Sequence, residues 1–305
     1  MLDIKESWIS HIHTLQDHIC GALEVADGKA SFSEDKWERE GGGGGITRVI
    51  GGGALLEKGG VNTSSVFGDV TDLMRKQLGI EGDQWFACGL SLVLHPMNPF
   101  VPTIHCNYRM FELYDKAGNI MDRWFGGGTD LTPYYLFEED AIHFHESYKK
   151  VCDQYDPLFY PDFKKQCDDY FVNHHRPNER RGIGGIFFDH CRPTAERDAE
   201  WWFSFSSDCG YALIESYLPI TDRRRDMTFG PAQKYWQEIR RGRYVEFNLV
   251  HDRGTLFGLK TNGRTESILM SLPPTVRFDY NYQPAAGTPE DELLQACLHP
   301  RDWIG

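Results

Sequence analysis

The length, composition and charge of the chain limit what it can be. Its 305 residues are 40% hydrophobic and 13% aromatic, which is enough to build a substantial core and unlike a disordered composition. The net charge is −13, from 32 lysines and arginines against 45 aspartates and glutamates. Such an acidic chain is not a general binder of nucleic acid or anionic membranes, which needs a basic face. An anionic small molecule is not excluded, because a few arginines in a pocket are enough to hold it.

The first residues and the cysteines indicate a cytoplasmic protein. Residues 1–8 are charged and amphipathic, so no secretory signal is expected. No stretch approaches the roughly 18 apolar residues that a membrane span needs. The 8 cysteines are scattered and form no C-x-x-C pair, which is typical of free thiols in a reducing compartment. We therefore expect a cytoplasmic location and no membrane span.

Regular patterns predict a helix and then two strands in the first third of the chain. Apolar residues at helical spacing predict an opening amphipathic helix through Trp8, Ile12, Leu15, Ile19 and Leu23. The glycines at 41–45 and 51–53 lack the residues that complete a phosphate-binding loop, so strand ends and turns are the better interpretation. Residues 88–95 and 103–113 alternate between apolar and polar, which predicts two strands that pair antiparallel.

The middle of the chain predicts one more strand and then helices. The triglycine at 126–128 is expected to end a strand, with a turn at 130–133. Residues 137–153 predict a helix, and Pro161 suits the first position of another. A further long helix is expected to start at Thr194 and to stop at Pro219.

The last third predicts a hairpin and a short helix. Residues 244–250 alternate between apolar and polar, and the turn at Asp252-Arg253-Gly254 would lead into a second strand. Thr288 is expected to cap the last helix. Strands in hairpins and helices in separate runs predict an α+β fold with an antiparallel sheet. Because no repeat or linker divides the sequence, residues 1–305 are expected to form a single domain.

Most of the chemistry lies in the strand segment at 105–109. Alternate residues of a strand share a face, so His105, Asn107 and Arg109 would project together while Tyr108 packs inward with its apolar neighbours. Ser91 and His95 would face the same side of the paired strand. A proton-transfer group, an amide and a fixed cation in one row favour a functional site over the alternative, an edge strand with a solvated polar face.

Two further clusters carry polar groups next to glycines. In Asn262-Gly263-Arg264 a tight turn would present Arg264, whose planar fork suits a carboxylate. Asp130 follows the triglycine, where a large molecule could approach the backbone. The alternatives are a plain turn with a solvated arginine and an aspartate that only caps a turn.

Four histidines leave open a metal site. His95, His105, His145 and His175 together would suit Zn, Mn or Fe. However, the chain lacks an H-x-x-x-H motif and the H-x-D or H-x-E of an iron triad. His145 also lies on the apolar stripe of its helix, where a core histidine is the commoner outcome. A divalent metal such as Mn therefore stays an alternative to a reaction without a cofactor.

Longer motifs occur in a fixed order along most of the chain. They lie at residues 89–99, 105–109, 124–133, 137–145, 165–171, 181–189 and 240–274. From about Trp37 to Trp303 they resemble the oxygen-dependent coproporphyrinogen-III oxidase family. The departures are small: Asn262 replaces a usual glycine, and Thr129 stands at a variable position.

The resemblance implies an oxidoreductase of porphyrin and haem biosynthesis. It implies that O₂ oxidises the ring A and ring B propionates of coproporphyrinogen III to vinyl groups, with loss of CO₂, giving protoporphyrinogen IX. No cofactor is then required, since O₂ is a co-substrate. The family is similar in having a large flat antiparallel sheet flanked by helices on both sides. It also implies a homodimer with its contact between Arg243 and Pro274.

The resemblance also implies roles for individual residues. By position, the substrate-binding motifs match Ser91, Asn107, Tyr108, Arg109, Asn262, Gly263 and Arg264. His105 matches the proton donor, and we expect Asp130 to accept hydrogen bonds from pyrrole N–H groups. Two alternatives stay open at this point: a metal-dependent oxygenase on the same substrate, and a tetrapyrrole carrier or sensor without catalytic activity.

Overall fold

A computed structural model describes residues 3–260 and 263–305. Its centre is one open sheet of seven strands whose order across the sheet is their order in the chain. Every neighbouring pair is antiparallel. The strands are β1 (Ser33–Glu38), β2 (Gly43–Gly51), β3 (Leu56–Asp69), β4 (Gln84–Pro96), β5 (Thr103–Tyr114), β6 (Ile120–Thr132) and β7 (Gly185–Cys191).

The helices precede, interrupt and follow these strands. Those before the last strand are α1 (Ile4–Asp27), α2 (Asp72–Leu78), α3 (Glu138–Tyr155) and α4 (Phe159–Tyr170). Those after it are α5 (Ala199–Arg224), α6 (Pro231–Glu246), a π-helical turn (Phe247–His251), α7 (Arg253–Lys260), α8 (Thr265–Leu269) and α9 (Pro289–Leu298). Within the two described ranges, none of the helices has the length and apolar composition of a membrane span.

One face of the sheet packs on α1 and α5 to form the main core. All five apolar residues predicted for the opening helix are at most 1% exposed. The indole Nε1 of Trp8 donates to the Cys88 carbonyl at 3.0 Å, which joins α1 to β4. The inward rows of the two paired strands are also buried: Leu90, Leu92 and Leu94 on β4, and Ile104, Cys106, Tyr108 and Met110 on β5. The predicted first helix and strand pair are therefore confirmed.

The cysteines are part of this interior. All eight are free thiols, and all except Cys191 are buried. Burial raises the pKa of the Cys88 and Cys152 thiols to about 12. At neutral pH these side chains are therefore protonated and behave as small apolar groups.

The opposite face of the sheet is covered by the segment that follows α6. The side-chain amide of Asn62 on β3 donates to the Ser267 carbonyl of α8 at 2.8 Å. The ring of His95 on β4 lies 2.8 Å from the Ser271 carbonyl. Helices thus lie on both faces of an antiparallel sheet, and the predicted α+β class is confirmed.

Two predicted boundaries in the middle of the chain are wrong. The expected turn at 130–133 is largely strand, because β6 continues to Thr132 and keeps its register with β5. Helix α5 begins after Asp198 rather than Thr194, and it contains Pro219 instead of ending there. Proline leaves the carbonyl four residues earlier without its helical donor. Here His143 Nε2 lies 3.1 Å from that carbonyl, of Glu215, and satisfies it.

The predicted hairpin at 244–250 is also wrong, because this segment is helical. Tyr244, Phe247 and Asn248 are buried, and their spacing places them on one side of a helix. Leu249 and Val250 are 38% and 55% exposed, so the apolar alternation did not mark a buried face. The predicted turn at Asp252 instead separates the π-helical turn from α7.

Candidate active site

The strand register brings together most of the polar residues singled out in the sequence. His105 on β5 lies opposite Asp130 on β6. In the next row, Asn107 lies opposite Ser91 on β4. Because side chains alternate along a strand, Arg109 projects on the same side as His105 and Asn107. The helices after α6 cover part of this face.

The glycines of β6 leave room beside Arg109. Gly126 lies directly opposite Arg109 in the register. A Cβ atom on Gly126 would be 2.9 Å from Asp189 Oδ1 and 3.1 Å from Arg109 Nη2. A side chain at Gly126 would displace this ion pair. Glycine is therefore required at this position for Arg109 and Asp189 to pair.

The deepest part of the site is an ion pair between Arg181 and Asp130. Arg181 Nη2 donates to Asp130 Oδ1 at 2.8 Å, and its Nε donates to Oδ2 at 3.2 Å. Both side chains are buried, with 1% and 3% of their surface exposed. Burial would raise the pKa of Asp130, but the Arg181 charge and the contact with His105 hold it below its ordinary value. Asp130 is therefore an anion at neutral pH.

Among the described residues, a further hydrogen bond and three aromatic rings enclose the guanidinium of Arg181. Its Nη1 donates to Asn248 Oδ1 at 2.9 Å. The rings of Phe171, Tyr244 and Phe247 have centroids 4.1, 4.9 and 5.0 Å from its Cζ atom. Burial lowers the pKa of Arg181, but the charge and hydrogen bonds of Asp130, together with Tyr244 and Asp252, outweigh it and the net shift is upward. A buried cation with this many contacts is fixed in place.

His105 lies between the buried Asp130–Arg181 pair and the exposed part of the sheet face. Its Nδ1 lies 2.9 Å from Asp130 Oδ1 and 3.0 Å from Arg181 Nη2. A proton on Nδ1 would be donated to Asp130, which leaves Nε2 to exchange a proton with a bound molecule. The side chain is 19% exposed, so the ring lies between the interior and the surface. This geometry fits an acid–base group oriented by a buried carboxylate.

A second charged group lies further along the same face. Arg109 Nη1 donates to Asn107 Oδ1 at 2.8 Å, and its Nη2 donates to Asp189 Oδ1 at 2.8 Å. Arg253 of α7 approaches the other oxygen of Asp189, with its Nη2 3.6 Å away. Arg109 is 29% exposed and Arg253 is 63% exposed. Two accessible cations that share one carboxylate are suited to an anionic ligand.

Some of the expected substrate-binding residues do not lie beside His105 and Arg109. Tyr108 faces the opposite, core side of β5, where it is 1% exposed and its hydroxyl is 2.6 Å from Thr129 Oγ1. Gly263 and Arg264 lie at the start of α8, and Arg264 pairs with Asp35 on β1. β1 and β5 are four strand spacings apart, roughly 19 Å. Asn262 lies outside the described residues.

The four histidines proposed as metal ligands do not converge. His95 is enclosed by Thr103 Oγ1 and the Ser271 carbonyl, and His145 by Tyr160 and the Ile183 carbonyl. Burial lowers the pKa of both histidines to about 3, so both are neutral core residues. His175 is instead near the surface beside His251. Within residues 3–260 and 263–305, no cluster of three or more His, Cys, Asp or Glu side chains could hold a metal.

Sequence reasoning assigned no role to several side chains of the site: Arg181, Asp189, Asn248 and Arg253. Arg181 follows Glu179 and Arg180, and a run of charged residues usually indicates a solvated surface. The sequence alone does not place Asp189 and Asn248 at the site, because their position depends on how β7 and the π-helical turn pack against β5 and β6. One available signal was the alternation on β7 of the apolar Ile186 and Phe188 with Phe187 and Asp189.

An open antiparallel sheet with a histidine on a buried ion pair, beside accessible arginines, defines an α+β enzyme that acts on an anionic substrate. The sequence profile described as "Coproporphyrinogen III oxidase" matches residues 7–303. The chain therefore belongs to the coproporphyrinogen III oxidase family.

Curated relatives agree with this assignment over nearly the whole chain. One is the chloroplastic oxygen-dependent coproporphyrinogen-III oxidase of Glycine max, 54% identical over 96% of this chain and 78% of that protein. The chloroplastic coproporphyrinogen-III oxidase 1 of Arabidopsis thaliana is 52% identical over 99% of this chain and 80% of its own length. The mitochondrial oxygen-dependent enzyme of Homo sapiens is 48% identical over 99% of this chain and 68% of its own length.

Proposed function

We propose that this chain catalyses the oxygen-dependent oxidative decarboxylation of coproporphyrinogen III to protoporphyrinogen IX. The propionates of rings A and B become vinyl groups. The observation that carries the proposal is the contact of His105 with the buried Asp130–Arg181 pair, on a sheet face that also presents Arg109. Family membership and the names of the relatives add the substrate and the oxidant.

The overall reaction sets what the protein has to do. For each propionate, the carbon next to the pyrrole loses a hydrogen with its electron pair, and the bond to the carboxylate breaks to form the vinyl double bond and CO₂. One O₂ takes up the two electrons and, with one further proton, leaves as H₂O₂. The electron-rich pyrrole is the group that reacts with oxygen, so the protein needs only to orient the substrate, exclude water and supply the proton.

His105 is the proposed source of that proton. Asp130 would hold the ring through Nδ1, while Nε2 delivers the proton to the reduced oxygen. Both oxygens of Asp130 already accept hydrogen bonds from Arg181 or His105. For this reason we propose that Asp130 acts through His105, in place of the direct contact with pyrrole N–H groups that we expected. Arg181 would act as a positioning residue.

Substrate binding is assigned to the more exposed part of the face. Arg109 would bind one carboxylate, with Asn107 and Ser91 beside it in the sheet. Gly263 and Arg264 would contact a different edge of the same molecule. A substrate with four carboxylates at its rim can bridge cations that lie far apart, which explains why these arginines need not meet. Tyr108 would contribute only through its backbone, since its side chain faces the core.

We also propose that residues 1–305 act as a single domain that forms a homodimer through the segment between Arg243 and Pro274. One buried cluster includes residues of α1, the sheet, α6 and α9, which supports the single domain. The segment exposes Leu249, Val250 and Leu259 by 38%, 55% and 40%, and an exposed apolar group of this kind favours a subunit contact. A concentration-dependent change in mass on sedimentation, lost in L249E/V250E, is the expected result.

A cytoplasmic location is the remaining proposal. The eight free thiols fit a reducing compartment. The relatives are named as chloroplastic or mitochondrial enzymes, so the location has to be measured for this chain. Fractionation of the source cells with an antibody against the chain would decide it, and recovery in an organelle fraction would contradict the proposal.

The test of the activity is a single-turnover experiment. Chelator-treated protein is mixed with coproporphyrinogen III without oxygen, then exposed to O₂, and the products are separated by chromatography. We expect protoporphyrinogen IX and two equivalents each of CO₂ and H₂O₂. Unchanged substrate that stays bound would favour a carrier, and activity that returns only with added Mn²⁺ would favour a metal-dependent oxygenase.

A further inference from the structure

A small polar cavity lies outside the candidate active site. It is bounded by α6, the loop after α4, the residues before α9 and α9 itself, and its volume is about 30 Å³. The charged residues that line it are Arg176, Glu179, Arg240 and Arg243. None of them belongs to the proposed substrate-binding face. The volume admits one or two water-sized groups and excludes any part of a tetrapyrrole ring.

The charges around this cavity do not cancel. Arg240 pairs with Glu179, whose Oε1 is 2.6 Å from Nη1. Arg176 and Arg243 share a second carboxylate, Glu246, at 2.6 and 3.2 Å. Among the residues that the structure describes, three guanidinium groups thus face two carboxylates, an excess of one positive charge. Arg240 and Arg243 are 2% and 9% exposed, so water screens this excess poorly.

We propose that the cavity binds a small monovalent anion of the size of chloride. The anion would neutralise the excess charge that Arg176 and Arg243 contribute at the cavity. A single negative charge balances the cluster, and the volume sets the upper limit on size. The site is independent of the active site, and it stabilises the contacts between α6, α9 and the loop after α4.

Bromide locates the site directly, because it has the charge of chloride and scatters anomalously. Crystals of the full chain are soaked in sodium bromide, and data are collected at the bromine absorption edge. The expected result is an anomalous peak inside the cavity, beside Arg176 and Arg243. A well-ordered cavity with no bromine peak overturns the proposal. This measurement needs no variant, so it remains decisive if a substitution prevents folding.

A melting experiment tests whether the excess charge causes the binding. The Tm of the full chain is measured in sodium chloride and in sodium gluconate at equal concentration, since gluconate is too large for the cavity. We expect chloride to raise the Tm by about 2 °C, in a saturable manner. Arg176→Gln removes the excess charge and should abolish the difference. Arg197→Gln is the matched control, because Arg197 is a partly exposed arginine paired with Asp156 away from the cavity.

A chloride effect in Arg197→Gln that is absent in Arg176→Gln supports the site. Equal chloride effects in both variants show general salt stabilisation and overturn the proposal. The experiment does not involve turnover, so its outcome is separate from that of the proposed enzymatic function.

Discussion

Two charged groups share one face of the sheet and differ in how they are enclosed. In the inner group, Asp130 and Arg181 are buried and fully paired, and aromatic rings surround the guanidinium. In the outer group, Arg109 and Arg253 are partly exposed and share Asp189. The same residue types therefore serve two purposes. Enclosure fixes the geometry around His105, whereas exposure would let the outer arginines exchange Asp189 for a carboxylate of the substrate, as we propose.

The largest effect is expected from breaking the inner pair. Asp130→Asn leaves Arg181 buried without its counter-charge, so the free energy of unfolding should fall by about 3–5 kcal/mol and activity should be nearly lost. Urea denaturation measures the change. The control is Asp122→Asn, which removes the partly exposed partner of Arg192 and should cost less than about 1 kcal/mol. Equal losses in the two variants would contradict the distinction between enclosed and exposed pairs.

The next effect concerns the residue that joins the inner group to the surface. His105→Gln keeps a polar side chain of similar size but removes the acid–base function, so kcat should fall at least about 100-fold with little change in KM. Steady-state kinetics measure both constants. His18→Gln, on the exposed side of α1, should behave as the wild type. A normal kcat in His105→Gln would remove this residue from the mechanism.

A smaller effect is expected when the outer group is changed. Arg109→Ala removes one charged hydrogen bond to the substrate, so kcat/KM should fall roughly 10- to 100-fold, mainly through KM. Stability should change little, because the side chain is partly exposed. Arg192→Ala removes another surface arginine and serves as the control. An unchanged kcat/KM in Arg109→Ala would show that the substrate does not bind at this part of the face.

The smallest effect is a pH dependence of the enclosed interior. Burial, assisted by the Arg241 charge for His95 and the Lys164 charge for His145, lowers both pKa values to about 3. Between pH 3 and 6.5 the unfolded state binds more protons at these sites, so stability falls as the pH falls. From pH 7 to 5.5 the two histidines should together cost about 2.5 kcal/mol of the free energy of unfolding. Urea denaturation at the two pH values checks this, and equal or greater stability at pH 5.5 would contradict it.

The row of polar residues on β5 was easier to predict from the sequence than the buried Asp130–Arg181 pair. Alternation on β5 placed His105, Asn107 and Arg109 together, because a strand has a period of two whatever it packs against. Arg181 could not be found in this way. Its site depends on the loop after α4 reaching Asp130, and its burial depends on rings from α6 and the π-helical turn.

The wrong hairpin at 244–250 has the same origin. In α6, Arg240, Arg241 and Arg243 are all buried. Arginines at core positions hide the helical period from any pattern that assigns charged residues to the surface. Ion pairs with Glu179, Glu57 and Glu246 make these positions possible, and the pairs with Glu179 and Glu57 join residues far apart in the chain. A pattern of neighbouring residues cannot predict such long-range ion pairs.

The burial of the thiols affects how fast the protein is inactivated by the peroxide that its own reaction forms. A reaction that reduces O₂ to H₂O₂ releases an oxidant inside the protein at every turnover, and the thiolate form of cysteine is what peroxide attacks. With a pKa of about 12, as for Cys88, only about one thiol in 100,000 is ionised at pH 7. Cys106 follows His105 directly, yet it lies on the other side of the strand with 0% exposure. For Cys106 the sheet therefore lies between the oxidant and the sulfur atom, and oxidation of this thiol should be slow.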